Sequence, residues 1–196
     1  MSKNELKPKL NSRIIILTTL VTTFLYSLIR YNVFGKVSYV DIPTYILNKS
    51  VAFTIIILLP FILFFKAKKM DVHLKILKQS LQFLLLIHVL LSVCLLSPSY
   101  YSKLFIGNKL SLFGNLAILT GVLAISLSIL YQSKINYIVL YALVALHLIF
   151  IGGKGWFEPS KWYGYLAPIS LICFLILIVV MIISHIMLQQ KNKQDV

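Results

Sequence analysis

The sequence has few charged side chains, and acidic ones are especially scarce. Of 196 residues only 5 are Asp or Glu, and charged residues of all kinds make up 12% of the chain. Apolar residues make up 59%, and the mean hydropathy is +0.91. A soluble domain of this length could not bury so much apolar side chain in one core, since much of its surface must meet water. The composition therefore excludes an ordinary soluble domain and indicates a membrane protein.

Long stretches of the chain lack charge altogether. A helix needs about 20 residues, within a range of about 17–25, to cross the hydrocarbon of a bilayer. Four uncharged stretches reach or nearly reach that length. Two shorter ones reach it if flanking cations extend to the lipid headgroups, namely Arg13, Arg30, Lys49 and Lys66. We predict a single all-α domain over residues 1–196, a six-helix transmembrane bundle with helices at about 13–28, 49–65, 76–97, 112–131, 135–151 and 165–188.

Motifs that identify several other classes of membrane protein are missing. Cys94 and Cys173 fall inside predicted helices and form no C-x-x-C pair, which excludes a thiol–disulfide membrane enzyme. No small-x-small cleavage site follows Ile14–Ile29, so the first helix is expected to be retained rather than removed as a signal peptide. The lack of a convincing internal repeat does not favour an inverted-repeat transporter. No Gly-rich phosphate loop is present, so no nucleotide site is expected.

The net charge of +14 is unevenly distributed along the chain. With the N-terminus inside, twelve of the 19 Lys and Arg fall in inner segments and seven in outer loops, which predicts that both termini are cytoplasmic. The basic stretch "KAKKMDVHLKILK" is interpreted as a topology anchor that also attracts anionic lipid. No basic face interleaved with aromatic residues accompanies it, so the expected partner is the lipid bilayer and not a nucleic acid.

Two histidines fall deep inside predicted helices. His88 and His147 each lie twelve residues from the inner end of their predicted helix, roughly 18 Å from the cytoplasmic edge. Ionisable groups at such depth are rare and indicate function. Each histidine could simply hydrogen-bond a serine or a backbone carbonyl between helices. Alternatively, the two imidazoles could bind an iron porphyrin from opposite sides.

Other residues bear on the choice between hydrogen bonding between helices and haem binding. A stripe of small residues in the fourth predicted helix would allow close helix packing or leave space for a flat cofactor. It consists of Gly114, Ala117, Gly121 and Ala124. His73 and His185 belong to the inner end of the bundle, where they could flank a second site, although interfacial histidines are common.

Three segments carry a resemblance to a known family. They are "LLLIHVLLSVCLLSPSYYSKLF", "LFGNLAILTGVLAISL" and "LYALVALHLIFIGGKGWFEPSKWYGYLAPISLI". Together, over about residues 69–188, they resemble the ferric reductase-like transmembrane domain. That family includes ferric reductases, the membrane core of NADPH oxidases and the haem-bearing subunit of a bacterial methionine sulfoxide reductase system. The resemblance implies a six-helix haem b protein whose axial ligands match His88 and His147.

The chain departs from this family pattern in two respects. Two-haem members have a second histidine on both ligand-bearing helices. Here His73 could fill one such place, but the inner end of the fifth helix offers Gln132, Ser133 and Lys134, so one haem is expected. Members that oxidise NADPH directly also have flavin- and nucleotide-binding regions. Because no such motif is present, flavin or quinone is expected only through a partner or in loosely bound form.

The function expected from these observations is electron transfer across a membrane of the bacterial cytoplasmic type, as a possible oxidoreductase subunit. A separate flavin reductase or quinol would donate electrons. The outer loops hold seven cations against Asp41 and Glu158, which favours an anionic outer acceptor such as a ferric chelate, or a periplasmic protein. The alternative is a cofactor-free small membrane transporter or assembly factor that uses its histidines for packing or proton transfer.

Overall fold

A computed structural model describes residues 11–130 and 137–194, and almost all of them are helical. The long helices are α1 (Ser12–Leu28), α2 (Leu47–Ala67), α3 (Asp71–Cys94), α5 (Leu112–Leu130), α6 (Tyr137–Gly152) and α7 (Ile169–Gln194). The short helix α4 (Pro98–Tyr101) and a small hairpin, β1 (Phe105–Ile106) with β2 (Lys109–Leu110), connect α3 to α5. The all-α bundle predicted from the sequence is confirmed.

Several of these helices are suited to a bilayer. Five helical segments are long and apolar enough to cross a membrane: Ser12–Phe34, Tyr39–Ala67, Asp71–Cys94, Ile138–Gly155 and Tyr163–Met187. A further apolar helix, Leu112–Ser128, is shorter. Large apolar side chains such as Leu17, Phe83 and Val179 are more than half exposed on the bundle surface. An apolar exterior of this kind needs lipid to cover it, so the protein is a multi-pass membrane protein.

Two helices begin at other residues than predicted, because the effects of a charged residue and of a proline on the helix start were misjudged. Helix α3 begins at Asp71 instead of residue 76, because the carboxylate in its first turn stabilises a helix N-terminus and the following lysines do not interrupt it. Helix α7 begins at Ile169 instead of residue 165, because Pro168 disfavours helical geometry in the residue before it. The predicted ends at residues 131 and 135 and both chain termini lie outside the described residues.

The segment between α1 and α2 is largely helical, although an outer loop was predicted there. It contains π-helical turns at Ile29–Phe34 and Ile42–Ile46 and a 3₁₀ turn at Tyr39–Asp41. The buried Asn32 side chain donates hydrogen bonds to the carbonyls of Val37 and Ser38, at 2.9 and 3.1 Å. These bonds satisfy backbone acceptors and hold the segment against the outer end of the bundle.

Arg30 does not extend into solvent as expected. It is only 4% exposed, and its guanidinium donates to the carbonyl of Leu166. The guanidinium carbon lies 5.5 and 5.4 Å from the ring centres of Tyr31 and Tyr163. A planar guanidinium stacks readily on aromatic faces, so Arg30 fastens the end of α1 to the segment before α7.

The helices pack in two groups. Helices α1, α2 and α3 form one group, and α5, α6 and α7 form the other, with α2 against α7 as the main connection. Two buried clusters reflect this division: Leu58, Phe65, Leu77 and Leu84 in the first, and Phe53, Tyr141, Cys173 and Leu177 across the α2–α7 junction. Within the described residues, α3 has no extensive contact with α5 or α6.

Candidate functional site: two histidines within the bundle

His88 is held by an asparagine of the neighbouring helix. Its Nδ1 lies 2.6 Å from Oδ1 of Asn48, which is 2% exposed near the start of α2. Nδ2 of Asn48 donates to Ser92 Oγ and to the Tyr101 hydroxyl, both at 3.1 Å. Burial raises the pKa of the Tyr101 phenol, while the bond from Asn48 acts in the opposite direction. The network thus joins α2, α3 and α4 at the outer end of the bundle.

His147 is held by the backbone of α5. Its Nδ1 lies 2.7 Å from the carbonyl oxygen of Ala117, which also accepts a hydrogen bond from the Thr120 hydroxyl at 3.1 Å. The ring lies against Gly121, where an added Cβ would come within 3.0 Å of both Cε1 and Nδ1. Gly121 therefore makes room for the imidazole.

The stripe of small residues on α5 serves more than one purpose. Gly114 lies against the backbone of Leu104, so closely that a Cβ would collide with the Leu104 carbonyl oxygen. Ala117 and Ala124 are buried at 1% and 6% exposure. Gly114 therefore serves packing of the preceding loop, whereas Ala117 and Gly121 are the members of the stripe that contact His147.

The two histidines have the same protonation pattern. Both Nδ1 atoms face an oxygen that only accepts, so each neutral imidazole carries its proton on Nδ1. That leaves a lone pair on each Nε2, and neither Nε2 has a hydrogen-bond partner within residues 11–130 and 137–194. Histidines that ligate metals show this arrangement, in which an oxygen acceptor fixes the tautomer and orients the ring.

The two histidines occupy similar positions along their helices. His88 precedes Cys94, the last residue of α3, by six residues, and His147 precedes Gly152, the last residue of α6, by five. The equal depth expected for them from the sequence stays a prediction.

Lys49 lies beside the hydrogen-bond network of Asn48. Its Nζ is 4.8 Å from the ring centre of Tyr101 and 5.1 Å from that of Tyr45, and the residue is half-buried. This side chain was expected to extend to lipid headgroups. In the folded chain its ammonium contacts two tyrosine rings, whose faces attract a cation.

The other two histidines differ in both position and bonding. Nδ1 of His73 lies 3.2 Å from Ser12 Oγ, which can donate or accept, and 3.5 Å from the Ser12 backbone nitrogen, and its ring stacks on Phe65. Nε2 of His185 lies 2.8 Å from the amide nitrogen of Gln189, which uses its lone pair. No contact joins His73 to His185 in the described part of the chain. The residues at the inner end of the predicted fifth helix, Gln132, Ser133 and Lys134, lie outside it.

The donor set at His88 and His147 fits a haem. The described residues contain no group of three or more His, Cys, Asp or Glu that could hold a metal ion, and a protein-bound zinc ion needs at least three such ligands. An iron porphyrin needs only axial ligands from the protein. The imidazoles come from α3 and α6, two helices without extensive contact with each other in the described residues. Two surface clefts, lined by Thr18, Thr19, Thr22 and Ile57 and by Pro60, Leu175, Ile176 and Val179, lie away from the histidines.

Comparison of the chain with protein-family models, curated proteins and solved structures gave no match. The functional argument therefore rests on the residues of the site.

Proposed function

We propose that the chain is a haem b-binding transmembrane electron-transfer protein of the ferric reductase-like type. Nε2 of His88 and Nε2 of His147 would be the axial ligands. The observation that carries this proposal is that each Nδ1 donates to an oxygen while each Nε2 keeps its lone pair. His185 lacks this pattern, because its Nε2 accepts a hydrogen bond from Gln189, which supports one haem instead of two.

The chain's own groups would prepare the iron site. Bound haem would supply a one-electron couple between ferric and ferrous iron. Asn48 and the Ala117 carbonyl orient the imidazoles and increase their basicity as ligands, which favours the ferric form. The surrounding apolar side chains exclude water and lower the local dielectric, which opposes a net positive charge on the iron.

The direction of electron flow is proposed from the position of the site. The histidines lie toward the ends of α3 and α6 that the cation distribution assigns to the outer side, so we propose a cytoplasmic flavin reductase or a membrane quinol as donor and an outer acceptor. Both described acidic side chains in the outer loops already have a partner. Asp41 accepts a hydrogen bond from Tyr100, and Glu158 pairs with Lys161. The excess of outer lysines supports an anionic acceptor such as a ferric chelate, or an acidic protein.

The membrane arrangement belongs to the same proposal. We propose that α5 crosses as a sixth span, with both termini cytoplasmic, in a bacterial cytoplasmic membrane. Two observations support this: α5 packs closely along α6, and the cation distribution favours inner termini.

A reduced-minus-oxidised absorbance spectrum of the purified protein tests the proposal. A haem with two histidine ligands gives sharp bands on reduction. Replacing both His88 and His147 with Ala should abolish them while membrane insertion persists, because an apolar span inserts at least as well without its imidazole. His185→Ala should keep the bands. Full haem content in the double variant would exclude these ligands.

A second function is supported by the same hydrogen bonds. Both imidazoles are already bonded between helices, as expected of a cofactor-free transporter or assembly factor that uses histidines for packing or proton transfer. The His88–Asn48–Tyr101 network leads toward the outer end, as a proton route would. Wild-type protein without haem bands, even after haem is supplied, would favour this second function.

A further inference from the structure

Lys49 is a cation among helices without an acidic partner. Within the described residues Lys49 forms no ion pair, and the carboxylate of Glu158 pairs with Lys161. Contacts with the rings of Tyr45 and Tyr101 contribute on the order of 0.5–2 kcal/mol. Withdrawing an ammonium from water costs several kcal/mol. A charged lysine at this place is therefore stabilised further by any anion that binds beside it.

The described part of the chain does not supply that anion. Asp41 accepts a hydrogen bond from Tyr100 on the outer surface, and Asp71 lies in the first turn of α3 at the opposite end of the bundle. An anion beside Lys49 would therefore come from a bound molecule. The surroundings are the rings of Tyr45 and Tyr101 and the neighbouring Asn48, the partner of His88. They suit a largely apolar molecule with a carboxylate at its edge.

Lys49 is also directly linked to the proposed iron site. It follows Asn48, the residue that orients His88, and its ammonium lies over the ring of Tyr101, whose hydroxyl accepts a hydrogen bond from Asn48. We propose that Lys49 binds a propionate carboxylate of haem and thereby sets the orientation of the porphyrin between His88 and His147. This inference rests on the proposed function, and it assigns the propionate edge to the outer end of the bundle, where α2 begins.

The experiment compares two porphyrins that differ only in this carboxylate. Full-length protein purified in detergent from haem-deprived cells is titrated with ferric haem and with its dimethyl ester, and binding is followed by Soret absorbance. A hydrogen bond to a charged group contributes about 1.5–3 kcal/mol, so wild-type protein should prefer haem by about tenfold or more. Lys49→Met should remove this preference by weakening haem binding alone, whereas Lys49→Arg should retain it.

Lys109→Met is the matched control, because Lys109 is an exposed cation on β2. It should leave both affinities unchanged. Equal affinity of wild-type protein for the two porphyrins would refute the role of Lys49 without affecting the haem proposal. An undiminished preference in a folded Lys49→Met variant would refute it too. If neither porphyrin binds the wild-type protein, the proposed function itself fails and the inference fails with it.

Discussion

Asn48→Leu tests whether the network around His88 holds the outer end of the bundle together. The change removes three side-chain hydrogen bonds, to His88 Nδ1 at 2.6 Å and to Ser92 and Tyr101 at 3.1 Å each. Hydrogen bonds between membrane helices average about 0.6 kcal/mol and reach about 1.7 kcal/mol. The buried leucine recovers part of the loss through its apolar surface. We therefore expect a net destabilisation of about 1–2 kcal/mol.

The free energy of unfolding of the haem-free protein can be measured by titration with a denaturing detergent, followed by circular dichroism. The expected change corresponds to a factor of about 5–30 in the unfolding equilibrium. Haem affinity, measured separately by Soret titration, should fall by about 10- to 100-fold, because an outer-shell partner of an iron ligand is lost.

Asn115→Leu is the matched control for this prediction. Asn115 lies on α5 and is exposed on the bundle surface, so the same substitution there should change stability little and leave haem affinity intact. If Asn48→Leu and Asn115→Leu have equal effects on stability, the network does not stabilise the helix contacts. If Asn48→Leu lowers stability but leaves haem affinity unchanged, Asn48 does not orient an iron ligand.

Three further predictions concern α5, the aromatic network and the membrane arrangement. Gly121→Ala should displace the His147 ring and cost about 1–3 kcal/mol in unfolding experiments. Gly153→Ala, whose Cβ would meet only Ile149 at 3.6 Å, should be tolerated. Burial raises the pKa of the Tyr101 phenol, so its contribution to stability is complete below pH 10 and is lost as the pH rises through the pKa of the folded state. Tyrosinate formation above pH 10, followed by absorbance, should therefore change in Tyr101→Phe. An unchanged titration would contradict this. Reporters fused at either terminus should be cytoplasmic, and one inserted in residues 152–164 should be external.

The helices were predictable from the sequence because the membrane imposes a simple pattern. An uncharged run of sufficient length specifies a helix, and α5 begins at Leu112 as predicted. The pattern failed where a helix extends beyond the apolar run. Charge at Asp71 marks the edge of the hydrocarbon but does not end α3, and the turns at Ile29–Phe34 continue past Arg30. The sequence locates the hydrocarbon more reliably than it locates the helix ends.

The candidate site was predictable only in part. Depth alone singled out His88 and His147, since an imidazole within an apolar run is conspicuous. Asn48 and Lys49 were not recognised as part of the site, because at the end of an apolar run they resemble ordinary interfacial residues. The available signal was the pairing of an amide with a cation on the first turn of a membrane helix, at the same outer end as the histidines.

The hydrogen-bond pattern of the four histidines could not be predicted from the sequence, yet it distinguishes them most clearly. Which ring nitrogen carries the proton depends on what lies opposite Nδ1. For His88 and His147 that group is an oxygen on another helix, which leaves Nε2 as an acceptor. For His73, Nδ1 contacts both the hydroxyl and the backbone N–H of Ser12, which do not fix its proton. For His185, the Gln189 amide nitrogen lies opposite Nε2 and occupies the lone pair that an iron ligand needs. The tertiary contacts of α2 and α5 therefore select the two candidate ligands.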